Sequence, residues 1–164
     1  MALTIRKVTL WRRDLDNHPG ALAAVLEPLA AAGADLQVAM GYRIPGQESR
    51  AVVELAPVTG RRSAAAAEAA GLAPSPIPTV VVEGDDAPSV GLAQSRALGA
   101  AGINIAFLIA QSLGRRYSAV FGFETQADAD RAVALLKRAT PAKRASRRKA
   151  APRKKAARKR SKRR

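Results

Sequence analysis

His18 is the only histidine in the 164-residue chain, and there is no cysteine. A histidine does general-base or nucleophile-activating chemistry only with a second group in reach. Asp14 and Asp16 are the near candidates, and both belong to an expected turn, so His18 reads as a loop or cap residue. Ser89, Ser95 and Ser112 have no histidine in their own half of the chain. The adjacent acids Asp85 and Asp86 read as water-facing turn residues rather than metal ligands. The absence of cysteine excludes disulfides, thiolate zinc sites and cysteine nucleophiles. No glycine-rich phosphate loop followed by lysine is present. The sequence therefore predicts no catalytic residue, no metal and no cofactor; it does not read as an enzyme.

The strongest chemical signal is charge. Residues 141–164 hold 14 Lys and Arg and no acid, while the other 14 basic residues share residues 1–140 with all 13 acids. The body is thus near neutral at +1 and the tail carries +14. Its cations are Lys143, Arg144, Arg147, Arg148, Lys149, Arg153, Lys154, Lys155, Arg158, Lys159, Arg160, Lys162, Arg163 and Arg164. Such a run displaces counterions from a nucleic-acid backbone. No aromatic residue interleaves it, so base stacking is not expected. With only alanine and proline as apolar residues it cannot offset the entropy of ordering, and we expect it to be disordered when free. Its pattern resembles the tails of linker-histone-like bacterial proteins.

The elements that would position any site come in two copies. At an offset of 69, Asp16 meets Asp85, Pro19 meets Pro88, Leu29 meets Leu98, and Ala31, Ala32 and Gly33 meet Ala100, Ala101 and Gly102. Leu36 then meets Ile105, and Arg62 meets Arg131. In the first copy, residues 3–11 alternate and predict a strand. Pro19 and Gly20 open a helix whose apolar face is Leu22, Val25, Leu26 and Leu29, despite Pro28 within it; Gly33 ends it as a left-handed cap. Strands over 36–42 and 50–55 flank Pro45-Gly46. Thr59 is placed to cap a second helix ending at Gly71. The second copy repeats this: a strand over 78–83, a helix over 87–101 and a hairpin about Gly114-Arg115. A last helix follows, capped by Thr125 and buried through Ala132, Val133, Leu135 and Leu136. The linker 73–78 reads as too short and proline-rich for a strand. A βαββα unit needs a fourth strand to close its sheet, and we expect the neighbouring copy to supply it.

The pattern Asp-x-x-Pro-Gly, a helix, then Gly102-Ile103-Asn104-Ile105 resembles the ACT domain, an amino-acid-sensing regulatory module. The run from Arg96 to Ile105 with Ile109, Gln111 and Ser112 looks most like the ACT region of aspartokinases. The resemblance implies an α+β fold of two tandem ferredoxin-like βαββα(β) lobes with antiparallel sheets. The boundaries are 1–71 and 72–140, followed by the disordered tail 141–164. It also implies homodimers paired through their sheets, with an amino acid held near the first strand–helix turn and the start of the second strand. Carried over, those positions are Asp16, Asn17, His18, Pro19, Gly20, Ala34 and Asp35 in copy one. In copy two they are Asp85, Asp86, Ala87, Pro88, Ile103, Asn104 and Ile105. A helix N-terminus suits a carboxylate, and Asp16 or Asp85 suits an ammonium or a helix cap. Copy two departs with Ser89 for the glycine, and with Gln94 and Ser95 where apolar residues are usual.

The expected function is a non-catalytic regulatory protein binding an amino acid or similar small ligand between paired lobes, with nucleic acid or another polyanion on the tail. The alternative is a nucleoid-associated or RNA-binding protein whose body only dimerises. No run suits a membrane span and no secretory signal is seen, which predicts a cytoplasmic protein, with association to the nucleoid through the tail.

Overall fold

The computed structural model describes residues 3–140, so the tail and its expected disorder lie outside the described residues. Alternation at the N-terminus does give extended chain, but as two strands rather than one. β1 (Thr4–Val8) and β2 (Trp11–Asp16) are separated at Thr9-Leu10 and enter different sheets. The rest of the first copy is α1 (Ala21–Ala31), β3 (Val38–Ile44), β4 (Gln47–Ala56), α2 (Arg61–Ala69) and a two-residue β5 (Ala73–Pro74). The second is β6 (Thr79–Asp85), α3 (Val90–Ala100), β7 (Ile105–Leu113), β8 (Arg116–Phe123) and α4 (Gln126–Ala139).

One sheet has the order β5-β2-β4-β3 and the other β1-β6-β8-β7, all antiparallel. Both follow one plan, with the closing strand beside the first, then the third, then the second. This is the α+β, ferredoxin-like arrangement that the ACT resemblance implied. The linker expected to hold no strand supplies β5, paired with β2 through Trp11 and Arg12. A two-residue strand has little need of side-chain propensity; its place is set by the ladder it joins. The second sheet is closed by β1, paired with β6 over five positions from Thr4↔Glu83 to Val8↔Thr79. Sheet membership therefore does not follow the 1–71 and 72–140 division.

Parity along the strands separates three cores. Leu15, Val53 and Leu55 face α1 and α2, packing with Val25, Leu29 and Ala67. Val80, Val82, Ala119, Phe121 and Phe123 face α3 and α4, packing with Leu98, Ala132 and Leu136. The opposite faces meet each other: Val38, Met40 and Ala56 of the first sheet join Val81 and Val120 of the second, with Leu10 between them. The layers thus run helices, sheet, sheet, helices, and the β1–β2 crossing stitches the centre. As composition predicted, these cores are mostly aliphatic. Leu22, expected on the buried face of α1, is 46% exposed; Val25 and Leu29 carry that face. Pro28 stands inside α1, which continues to Ala31.

Of the two expected helix caps, one shifts by a position and the other holds. α2 is preceded by Gly60 at φ +83 with no side-chain cap, so Thr59 does not cap it. Thr125 does cap α4, its hydroxyl oxygen accepting from the Asp128 N–H at 3.1 Å. The repeated Arg62 and Arg131 have a common task. Arg62 donates to the Ala31 carbonyl at 2.9 Å and Arg131 to the Ala101 carbonyl at 2.8 Å, each at the C-terminal end of the preceding helix. A cation there meets the negative end of the helix dipole.

Gly20 and Ser89 occupy the same place, immediately before α1 and α3, and both are left-handed at φ +87 and +66. An L-residue in that region carries about 1–2 kcal/mol of strain. Ser89→Gly removes it, offset by about 0.4–1 kcal/mol for the freer unfolded chain. We expect a net gain of roughly 0.5 kcal/mol, seen as a melting temperature raised by about 1–2 °C. Gly20→Ser should move it the other way. A lowered melting temperature for Ser89→Gly would contradict this account.

Candidate ligand-binding site

β2 runs into α1 through Asn17, His18, Pro19 and Gly20, and the turn is fastened to the β3–β4 hairpin. The Asn17 N–H donates to the Ser49 carbonyl at 2.8 Å, and Asn17 Nδ2 donates to the Glu48 carbonyl at 3.0 Å. α1 begins without a side-chain cap. Its first-turn N–H groups are of the kind that side chains, water or ligands satisfy. Asp16 does not cap the helix. It ends β2 and accepts from Arg50 Nη1 at 2.8 Å, while Asp14 pairs with Arg12 at 3.0 Å. His18 directs Nδ1 at the Pro19 carbonyl, 2.9 Å away. The two acids that precede His18 in sequence are therefore paired with arginines.

Beside this turn lies an open cavity of about 400 Å3 between the start of α1 and strands β3 and β4. Its lining includes Asn17 and His18, which the sequence had singled out, and also Leu15, Ala21, Leu22, Gly41, Arg43, Ala51 and Val53. Two of these, Gly41 and Ala51, make the space by being small. Gly41 was not singled out from the sequence; a glycine inside a strand is the one signal there that could have found it, since it marks a close approach or an unfilled face. Arg43 leans on Glu48 at 2.6 Å, so its charge is already paired. A smaller cavity of about 240 Å3 lies along β2 and α1, with Arg13, Asp14, Asp16 and Arg50 on its wall.

The remaining expected positions do not converge on this turn. Asp35 is exposed in the loop beyond the C-terminal end of α1, 11 residues and about 16 Å of helix from Gly20. In the second lobe the turn Asp85, Asp86, Ala87 and Pro88 precedes α3, and Asp86 accepts from the Ser112 hydroxyl at 3.0 Å. Ser89 stands at the N-cap of α3 and its side chain makes no cap hydrogen bond. Ile103, Asn104 and Ile105 lie past the other end of α3. Ile103 is buried in the second core, Ile105 packs against it, and Asn104 donates to Glu124 at 2.7 Å. Within one lobe the two groups of expected ligand residues stand at opposite ends of a helix.

The second lobe also answers why Gln94 stands where apolar residues are usual. It is fully buried, not solvated. Its Oε1 accepts from the Tyr117 hydroxyl at 2.8 Å and its Nε2 donates to Thr140 Oγ1 at 2.8 Å. Thr140 in turn donates to the Leu136 carbonyl at 2.7 Å. Burial, then the negative charge of Asp86, raises the Tyr117 pKa above its ordinary 10.0. The first lobe has its own buried polar residue, Glu54, between the two sheets. It accepts from Tyr42 at 3.1 Å and Ser75 at 3.2 Å, with Arg12 at 3.9 Å. Burial and the Glu54 carboxylate raise the Tyr42 pKa likewise. Nothing in the local sequence announces either residue as buried. Among the described residues no group of acids and histidines is placed to hold a metal, and no helix is long and apolar enough to cross a membrane.

The fold and this turn define a two-lobed, ferredoxin-like body with a small-molecule-sized cavity at its first strand–helix turn. Solved structures of the same fold include the regulatory subunit of aspartate kinase from Thermus thermophilus in its ligand-free form. It is similar at TM-score 0.58 and 17% identity over 86% of this chain and 99% of that one. A protein of Bacteroides thetaiotaomicron matches at TM-score 0.65 and 16% identity, over 82% of this chain and 89% of that one. The regulatory subunit from Thermus flavus matches at TM-score 0.54 and 18% identity, over 84% and 95%. At these identities the likeness is one of fold. No family model matches the sequence, and no curated protein matches it.

Proposed function

We propose that this chain is a non-catalytic regulatory protein that binds an amino acid or similar small ligand at a strand–helix turn. The observation that carries the reading is the open cavity beside the uncapped start of α1, in a fold shared with regulatory subunits of aspartate kinase. A carboxylate suits the first-turn N–H groups of α1, and the cavity walls take the rest of the molecule. The experiment is a thermal-shift screen of the full chain against the common amino acids. A concentration-dependent rise in melting temperature with at least one of them is expected, as ligand linkage requires. No stabilisation by any of them would remove the reading.

The chain pairs with a second copy through sheet edges in this proposal. β3 and β7 are the outer strands of their sheets, and β7 exposes Leu108, Ile109 and Leu113 at 41%, 44% and 68%. Light scattering on the eluted protein should give a dimer mass. This exposed edge also favours the second reading, in which the body serves only for assembly.

Residues 141–164 contact nucleic acid. Full-length protein should shift DNA in a gel and a 1–140 truncation should not. The affinity should fall by about 10³-fold between roughly 50 and 200 mM salt. Equal binding by both chains would end the tail's role.

A further inference from the structure

We propose that each chain holds one ligand, in the first lobe alone, and that this ligand has an apolar side chain. The proposal rests on the amino-acid-binding reading above and adds the lobe and the chemical class.

Two copies of one plan have diverged at the same spot. Strand pairing sets the equivalence. Leu15 pairs with Ala51 in the first sheet, and Gly84, 69 residues after Leu15, pairs with Tyr117 in the second. Arg43 also pairs with Ala51, and its counterpart Ser112 pairs with Tyr117. Tyr117 therefore stands where the first lobe has Ala51.

The ring of Tyr117 starts on β8 and its hydroxyl ends on Gln94 of α3, at 2.8 Å. Gln94 is the counterpart of Val25 in α1. A side chain that joins those two points crosses the space between sheet and helix, and Tyr117 is only 5% exposed there. Gly84 stands in place of Leu15, and Leu3 lies beside it, 3.4 Å from where a Cβ at Gly84 would sit. In the first lobe the matching place is bounded by the methyl of Ala51 and by Gly41, and a cavity of about 400 Å3 stays open. One lobe has its space filled by its own side chain; the other leaves it for something else.

The lining sets the class of occupant. Leu15, Leu22, Val53, Ala51 and Gly41 are apolar, and no carboxylate lines the cavity. A lysine- or arginine-like ligand would find no counter-charge. The one lining cation, Arg43, is held by Glu48 at 2.6 Å, so an acidic side chain gains little from it. An aliphatic or aromatic side chain removes apolar surface from water on both sides of the contact.

The test is calorimetric titration of the full chain with leucine, isoleucine, valine, methionine and phenylalanine, against lysine, arginine, aspartate and glutamate. We expect an apolar member to bind with a stoichiometry of one per chain. Ala51→Tyr, which installs the second lobe's residue, should weaken it at least about tenfold. Ala51→Met serves as a second, less bulky plug should the tyrosine disturb folding, and should weaken it in the same direction. Two sites per chain, or unchanged affinity in both folded variants, would overturn the lobe assignment while leaving amino-acid binding intact. Binding of charged members only would overturn the class. If no amino acid binds at all, the underlying reading fails and this one with it.

Discussion

A chain that starts at Thr9 should lose the cooperative fold of its second lobe, although every residue of 72–140 is retained. β1 is the edge strand that closes the second sheet, paired with β6 at five positions. Its side chains alternate between duties. Ile5 packs, with Leu3, against the core under α3 and α4, and Lys7 on the same face reaches Asp130 of α4 at 2.8 Å. That contact, with Gln126, holds the Asp130 carboxyl below the ordinary aspartate pKa. Arg6 on the opposite face donates to Gln37 of the first lobe at 2.6 Å, and Val8 packs between the sheets. Partial burial of Leu3, Ile5 and Val8 is worth about 3–4 kcal/mol in all, at roughly half the full value for each. That is a large share of a domain's usual net stability of about 5–15 kcal/mol. Removal also bares β6, whose run Val80-Val81-Val82 would become an unpaired edge prone to intermolecular pairing. Circular dichroism melting should show a transition lowered by at least about 10 °C, and size exclusion should show aggregates. An unchanged melt for the shortened chain would refute the role given to β1. As a contrast, Lys7→Ala acts on an exposed ion pair and should leave the melting transition nearly unchanged.

Tyr117→Phe and Gln94→Leu should each destabilise by about 1–3 kcal/mol, because each leaves one buried polar atom without its partner. The chain of donors runs one way: Tyr117 hydroxyl to Gln94, Gln94 amide to Thr140, Thr140 hydroxyl to the Leu136 carbonyl. Removing the tyrosine hydroxyl orphans the Gln94 oxygen, and removing Gln94 orphans the hydroxyl. The double substitution leaves neither orphan. It should therefore cost less than the sum of the two by about 1 kcal/mol or more, within the usual coupling range of 0.5–3 kcal/mol for touching residues. Urea denaturation of the four chains measures that coupling. Additive costs would mean that the hydrogen bond between β8 and α3 contributes nothing. Thr140 directly precedes the basic residues 141–164 in sequence, and this network ties it to α3 and to the end of α4.

Much of the fold was legible because it rests on local rules. The helices α1 and α3 lie 69 residues apart at both ends, as the repeat requires, and Gly33 and Gly102 are both left-handed at φ +78 and +68. Pro45-Gly46 and Gly114-Arg115 are the hairpin turns that their residue types predicted. A single offset of 69 implies no gap in the repeat, however, and strand pairing shows one. Glu54 corresponds to Val120 rather than to Phe123, because Arg12 pairs with Glu54 and Val81 pairs with Val120. The β3–β4 hairpin holds three more residues than its counterpart, where the register shifts between Arg43 and Ile44. An extra loop of that size leaves the alternation on either side intact, so periodicity alone cannot reveal it.

The candidate site was legible only in part. Asn17 and His18 were singled out through the turn that carries them. Gly41, Arg43, Ala51 and Val53 come from a hairpin more than twenty residues away and carry no motif.

The sequence by itself determined the duplication, the kind and order of most elements, the helix stops and the separation of charge between body and tail. Each of these depends on neighbours within a turn or two of chain, or on composition. Which sheet each strand joins, which polar residues are buried, and which lobe keeps an open cavity were decided by the tertiary structure alone. Those outcomes depend on pairing between strands such as β1 and β6, more than seventy residues apart, and a one-dimensional pattern holds no record of what lies across a sheet.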